Sequence, residues 1–146
     1  EACGGKALAL QADLCQPKDV ERIFSTTKQL AGDRLAAVVV NHGVNVPGPC
    51  ISMTDESLDH VLDTNVRSAF MVLRAAALNV RNGGSIVAIS SSLVGSKVAG
   101  NAAYAGSKAA LETIVAVLAK ELKGRLNVNC IAPGPIESEL FYAGKT

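Results

Sequence analysis

The sequence predicts an α/β fold built on a doubly wound parallel sheet with helices on both faces. Three observations lead there. Residues 35–40 and 85–89 are largely apolar stretches of strand length, as expected of parallel strands buried on both sides, and residues 126–131 read as a further strand. Between them, apolar residues recur at three- and four-residue spacing, the period of a helix. Polar residues gather where the strands end, at Asn41, at Ser90, Ser91 and Ser92, and at Pro133-Gly134, which is where ligands meet sheets of this kind.

Taken in order, residues 6–11 form a short apolar stretch that reads as a first strand ending in Ala12-Asp13. Pro17 suits the first turn of a helix, with Asp19 and Glu21 placed to complement its positive end. Val20, Ile23, Phe24 and Leu30 supply its apolar stripe up to Gly32, and residues 35–40 are the second strand. Pro47-Gly48-Pro49 is a loop, and Thr54 followed by Asp55 and Glu56 has the pattern of a capped helix start. One long helix then runs over 55–80 on Leu58, Val61, Leu62, Asn65, Val66, Ala69, Phe70 and Leu73, and Asn82-Gly83-Gly84 stops it. Residues 85–89 are the third strand, followed by the serine run and a glycine-spotted loop. Leu111, Val115, Leu118 and Leu122 mark a helix over 102–122, and residues 126–131 are a fourth strand running into Pro133-Gly134-Pro135.

Composition narrows the function classes. The chain has 146 residues, 49% hydrophobic and 18% charged, with a net charge of +1. That is one core-forming domain without a basic footprint for nucleic acid or an anionic membrane. No uninterrupted apolar run of about 18 residues is present to span a bilayer. Cys3, Cys15, Cys50 and Cys130 are scattered, with no pair at metal-ligand spacing, and read as reduced packing residues in a cytoplasmic protein. No metal site is expected.

The chemistry-bearing residues fall at the predicted strand ends. Asp13 follows the first strand, Asn41 the second, the serines the third and Pro133-Gly134 the fourth, while the helices add Asn65, Tyr104 and Lys108. Tyr104 and Lys108 are four residues apart and share one helix face. A phenol with a reference pKa of about 10 is a poor acid–base group at neutral pH, but an adjacent ammonium favours the phenolate. A serine hydroxyl nearby can hold a substrate oxygen on which charge develops. Each residue also has a plainer reading. Tyr104 and Lys108 can be a solvated surface pair, Asn65 can serve a neighbouring backbone carbonyl, the serines can be a turn cluster, and Asp13 can be a cap.

Tyr104-Ala-Gly-Ser-Lys108 matches the Y-x-x-x-K of short-chain dehydrogenases/reductases, and the other landmarks follow in the family's order. The chain resembles that family in Asp13, in Asn41-His42-Gly43 for its N-A-G turn, in Asn65, in the serine run and in Pro133-Gly134-Pro135-Ile136. The resemblance implies a Rossmann-like fold and a hydride transfer between NADP(H), or NAD(H), and a small-molecule carbonyl or alcohol. It implies Tyr104 as proton donor or acceptor, Lys108 as its activator and a ribose ligand, and Asn65 as support for a water-linked relay. The substrate-holding serine is Ser91 by its thirteen-residue distance from Tyr104, or Ser92 by the S-x-x-G pattern of Ser92-Leu93-Val94-Gly95. Cofactor contacts fall on Asp13 with Leu14, Asn41, Gly43, Pro133, Gly134, Ile136 and Ser138, besides Tyr104 and Lys108. The tail, with Glu137 to Phe141, is similar to plant-type NADPH-dependent aldehyde reductases and favours NADP.

The chain also departs from the family pattern. His42 stands where a small residue is usual, and Val40 where a first asparagine is common. The family's glycine-rich T-G-x-x-x-G-x-G turn, with its first two strands, would precede residue 1, and a covering helix and last strand would follow residue 146. The chain is therefore expected to be the middle of such a domain, a partial dinucleotide-binding domain over 1–146 truncated at both ends. A non-catalytic scaffold is the competing expectation. The resemblance further implies a homodimer or homotetramer assembled through the helices at 55–80 and 102–122, where Ala75, Ala76, Ala77, Ala109 and Ala110 permit close approach.

Overall fold

A computed structural model describes residues 5–135. Three strands, β1 (Ala37–Val40), β2 (Ser85–Ile89) and β3 (Asn127–Ile131), form a parallel sheet in the order β1-β2-β3. Their register aligns Val40 with Ala88 and Ala88 with Cys130. The helices are α1 (Pro17–Ala31), α2 (Asp55–Leu62), α3 (Ser68–Asn79), the single turn α4 (Leu93–Ser96) and α5 (Ala102–Glu121). The core joins Val20 and Phe24 of α1, Ala69, Leu73 and Ala76 of α3, Leu111 and Val115 of α5, and Val40, Ile86, Ala88 and Val128 of the sheet.

The parallel alternation expected from sequence is present, with differences that have physical causes. Residues 6–11 form no strand: nothing among the described residues pairs with their backbone, and Leu8 is 63% exposed. An apolar run becomes a strand only where a ladder partner takes its hydrogen bonds. Nor are the strands covered on both faces within residues 5–135. Val40, Ile86, Ala88 and Val128 face the helices, whereas Val39 and Ile131, on the other pleat, are 61% and 52% exposed. In α1, Val20 and Phe24 are buried but Leu30, in the last turn, is exposed.

The helix expected over 55–80 is not continuous. Thr54 caps α2 as predicted, its hydroxyl accepting from the Ser57 amide at 3.2 Å. A π turn over Asp63–Arg67 then separates α2 from α3. One extra residue per turn rotates the apolar stripe, so Asn65, Ala69 and Leu73 point inward while Leu58, Leu62 and Phe70 remain partly exposed. Of the alanines read as permitting close helix approach, Ala76 and Ala77 are buried in the core and Ala75 packs against it, while Ala109 and Ala110 are half-buried. Among the described helices α5 alone is long and apolar enough to cross a membrane by length and composition. Its inward stripe of Tyr104, Ser107, Lys108, Leu111 and Val115 is instead buried in the domain.

Among the cysteines, Cys15 and Cys130 are half-buried and unpaired, whereas Cys50 is exposed and packs little; Cys3 lies outside the described residues. No cluster of metal-ligating side chains occurs among the described residues.

Candidate active site

The ends of the strands are drawn together by backbone bonds that continue the ladder beyond its last pair. The Ser90 amide donates to Ile131 O at 2.7 Å, and the Ser92 amide to Pro133 O at 2.9 Å. The serine run and the Pro133-Gly134 turn are thereby neighbours, as the strand order required. Among the described residues, nothing stands within 4 Å of where a Cβ on Gly134 would lie.

α5 brings Tyr104 and Lys108 to this mouth. Tyr104 is 8% exposed and Lys108 is 3% exposed, and the Lys108 ammonium lies 5.8 Å from the tyrosine ring centroid. Lys108 Nζ donates to Ile89 O, the last carbonyl of β2, at 2.9 Å. Helix spacing thus places the pair on one face, and the sheet supplies the anchor that holds the ammonium there. Burial pushes the lysine below its ordinary range, an effect opposed by the neighbouring Cys130 thiol. A buried cation with one backbone partner is in turn well suited to a second partner from a ligand.

Asn65 occupies the π turn and is 1% exposed. Its Oδ1 accepts from the Val44 amide at 2.8 Å, and its Nδ2 donates to Val44 O at 2.8 Å and to Ser107 Oγ at 2.9 Å. Ser107 passes its own proton to Tyr104 O at 2.7 Å. One amide therefore ties the turn after β1 to the helix that carries the tyrosine. The backbone carbonyl that the plainer reading of Asn65 expected is that of Val44, in the turn beside the candidate site. Gly43 lies in the same turn, so close that a Cβ would stand 3.0 Å from Lys108 Nζ and 3.2 Å from Asn65 Oδ1. A side chain there would stand closer than ordinary contact, and the lysine end would have to give by a few tenths of an ångström.

The two candidate serines differ in their surroundings. Ser91 Oγ accepts from the Leu93 amide at 3.2 Å and closes a local turn, whereas Ser92 begins α4 and its hydroxyl bonds no described residue. Asn41 is exposed just past β1. Asp13 does not follow a strand as expected; its carboxylate accepts from the Cys15 amide and its own amide donates to Asp19 Oδ2. Its fixed geometry is that of a turn residue before α1, with Leu14 half-buried beside it. Ile136 and Ser138 lie outside the described residues.

Three participants were not legible in the sequence: Ser107, Ser68 and Glu112. Ser107 has only its place inside the Y-x-x-x-K stretch to suggest it. Ser68, fully buried, accepts from His42 Nε2 at 2.6 Å and donates to Thr64 O at 2.6 Å. Ser90 Oγ donates to the Glu112 carboxylate at 2.6 Å, joining β2 to α5 one turn beyond Lys108. His60 is exposed, as its position on the outer helix face predicted.

Comparison with known proteins agrees with this fold. The family model described as enoyl-(acyl carrier protein) reductase matches residues 1–145. A short-chain type dehydrogenase/reductase of Picea abies is 39% identical over 98% of the chain and 54% of its own length. A chloroplastic NADPH-dependent aldehyde reductase-like protein of Arabidopsis thaliana is 38% identical over 98% of the chain and 55% of its own length. Among solved structures, a short chain dehydrogenase of Burkholderia cenocepacia in complex with NADP superposes with a TM-score of 0.88 at 33% identity, covering 95% of the chain and 57% of that protein. The chain spans about half the length of the curated relatives it matches.

Proposed function

This chain belongs to the short-chain dehydrogenase/reductase family, and from that membership we propose that it carries the catalytic centre of an NADP(H)-dependent oxidoreductase acting on a small carbonyl compound or the corresponding alcohol. The observation that carries the reading is the buried Lys108 ammonium set 5.8 Å from the Tyr104 ring and anchored on the last carbonyl of β2. NADP is favoured over NAD because the relatives named for a cofactor use NADPH and a similar structure was solved with NADP.

The residues fit such a cofactor by the chemistry of their donors. Lys108 offers an ammonium for ribose hydroxyls, Gly43 presents bare backbone, and the Gly134 and Pro133 edge, unobstructed among the described residues, leaves room for the nicotinamide. By the family pattern Asn41, and Asp13 with Leu14, are assigned to the ribose and adenine side, and Ile136 and Ser138 to the nicotinamide amide and pyrophosphate. The bound cofactor supplies or accepts the hydride.

The chain's own residues handle the proton. In the reducing direction the Tyr104 hydroxyl gives its proton to the substrate oxygen, and the phenolate left behind is held by the Lys108 cation. Ser92 donates a hydrogen bond to the same oxygen, meeting charge as it develops, with Ser91 fixing the turn that presents it. Asn65 supports reprotonation by locking the turn after β1 and Ser107 in place, since all its amide hydrogens are already bonded within the protein. Assembly as a homodimer or homotetramer is part of the same reading, supported by the exposed apolar side chains Leu58, Leu62 and Phe70 on α2 and α3 and Val117 on α5.

The test uses protein of the relatives' full length, incubated with NADPH deuterated at the transferable position and a panel of aldehydes and ketones. Deuterium appearing on the carbinol carbon of a product alcohol supports the reading. Saturable NADPH binding without label transfer to any carbonyl in the panel counts against it.

A further inference from the structure

Position 42 is the place where this chain departs from its family's pattern inside the site, and the departure has made a contact. The hydroxyl of Ser68 has one proton, which goes to Thr64 O at 2.6 Å. At the 2.6 Å contact with His42 the serine oxygen therefore accepts, and the imidazole Nε2 carries the hydrogen. Ser68 is fully buried at the start of α3, directly after the π turn that holds Asn65. His42 and Val44 flank Gly43, and each is fixed to that same stretch of helix, one through Ser68 and the other through Asn65.

We propose that His42 is a positioning residue, which with Asn65 clamps the turn at two points and so sets how closely Gly43 presses on the Lys108 ammonium. A turn held only at Val44 can pivot about that residue. A second attachment on the far side of Gly43 removes the pivot. Gly43 approaches the lysine closely enough for a pivot to be felt there, since a Cβ built on it would stand 3.0 Å from Lys108 Nζ. A small residue at position 42, usual in the family pattern, has no group that reaches Ser68, so this second clamp belongs to chains with a donor of histidine's reach. The consequence for turnover rests on the reading of Lys108 given above, whereas the clamp itself does not.

Three variants separate the clamp from simple space-filling. His42→Gln keeps an N–H at nearly the position of Nε2, His42→Phe keeps the ring without the donor, and His42→Ala removes both. Two readouts need no catalysis: hydrogen exchange at the Val44 amide, and the rate at which Lys108 is acetylated by a small reagent, followed by mass spectrometry. Exchange and acetylation are expected to rise about three- to tenfold in His42→Ala and His42→Phe, the range set by one net hydrogen bond, and to stay within about twofold of native in His42→Gln. In full-length protein the first two variants raise the KM for NADPH more than they lower kcat, and His42→Gln restores it. Native exchange and labelling in His42→Phe overturns the clamp, as does a loss that His42→Gln fails to rescue. Altered exchange in a protein that transfers no hydride at all leaves the clamp standing and removes the oxidoreductase reading instead.

Discussion

Asn65 Nδ2 donates to Ser107 Oγ at 2.9 Å, a bond between a π turn and the helix of the tyrosine that spans 42 residues of sequence. Together with the two bonds from the same amide to Val44, it makes Asn65 the point where the turn after β1, the π turn and α5 meet. The site is therefore assembled by polar contacts inside an apolar core, where a missing partner costs more than the bond itself gains.

Truncating Asn65 exposes that asymmetry. Asn65→Ala leaves the Val44 amide and carbonyl without their side-chain partner in a water-poor position, and it is expected to destabilise the fold by about 3 kcal/mol. Urea unfolding followed by circular dichroism measures the loss. Asn65→Asp, which keeps the shape but cannot donate to Val44 O or Ser107, falls on the same side of native.

Gly43 gives a prediction of opposite kind, with little cost in shape but a cost in binding. In Gly43→Ala the new methyl meets Lys108 Nζ and Asn65 Oδ1, so the ammonium must move away from the position its ligand needs. NADPH affinity is expected to weaken about three- to tenfold, the scale of one net hydrogen bond, as the ammonium gives by a few tenths of an ångström. Fluorescence titration reads it directly.

Acid sensitivity follows from His42. Burial first, and the Lys108 cation second, hold the imidazole below its ordinary value of 6.5, against a smaller opposing effect from the Thr64 backbone. Between the folded and unfolded values the unfolded chain binds more protons, so stability rises with pH there. Thermal midpoints are expected to fall as pH drops below about 6.5, and to level off once the folded-state value is passed. His42→Gln removes that part of the slope.

The cysteines separate by surroundings. Cys130 is pushed up by burial and further by the Glu112 carboxylate, whereas Cys50 is exposed. Iodoacetamide at neutral pH is expected to label Cys50 at least about tenfold faster than Cys130, because the thiolate is the reacting form. Peptide mass spectrometry over time distinguishes the two.

Assembly is tested on the helices' outer faces. Leu62→Lys combined with Phe70→Lys places charge on side chains that are 39% and 49% exposed, and so leaves the monomer's core intact. Sedimentation of the full-length protein is expected to shift from dimer or tetramer to monomer; an unchanged assembly removes these faces from the interface.

Much of this was readable in the sequence because it depends on local period and spacing. Thr54 caps α2, β2 spans the residues its apolar run marked, and the four-residue step from Tyr104 to Lys108 dictated a shared face. What was not readable depends on partners distant in the chain. Residues 6–11 have strand composition but no ladder neighbour among the described residues. The π turn was hidden because the apolar pattern over 55–80 continues through it; a lone buried Asn65 in the stripe was its only trace. His42 was set aside for want of a partner at motif spacing, yet its partner Ser68 is 26 residues away on another element. Asp13 was placed by analogy with a strand end, and its carboxylate proved to be turned to the Cys15 amide.

The most direct test of the account is the rate of NADPH-dependent carbonyl reduction by full-length protein carrying Tyr104→Phe, with NADPH binding measured on the same sample. Loss of the phenolic proton is expected to lower turnover by about a thousandfold, the scale of general acid catalysis, while cofactor affinity stays within about twofold of native. Turnover within about tenfold of native contradicts the assignment of Tyr104 as proton donor, and with it the role given to the ammonium beside it.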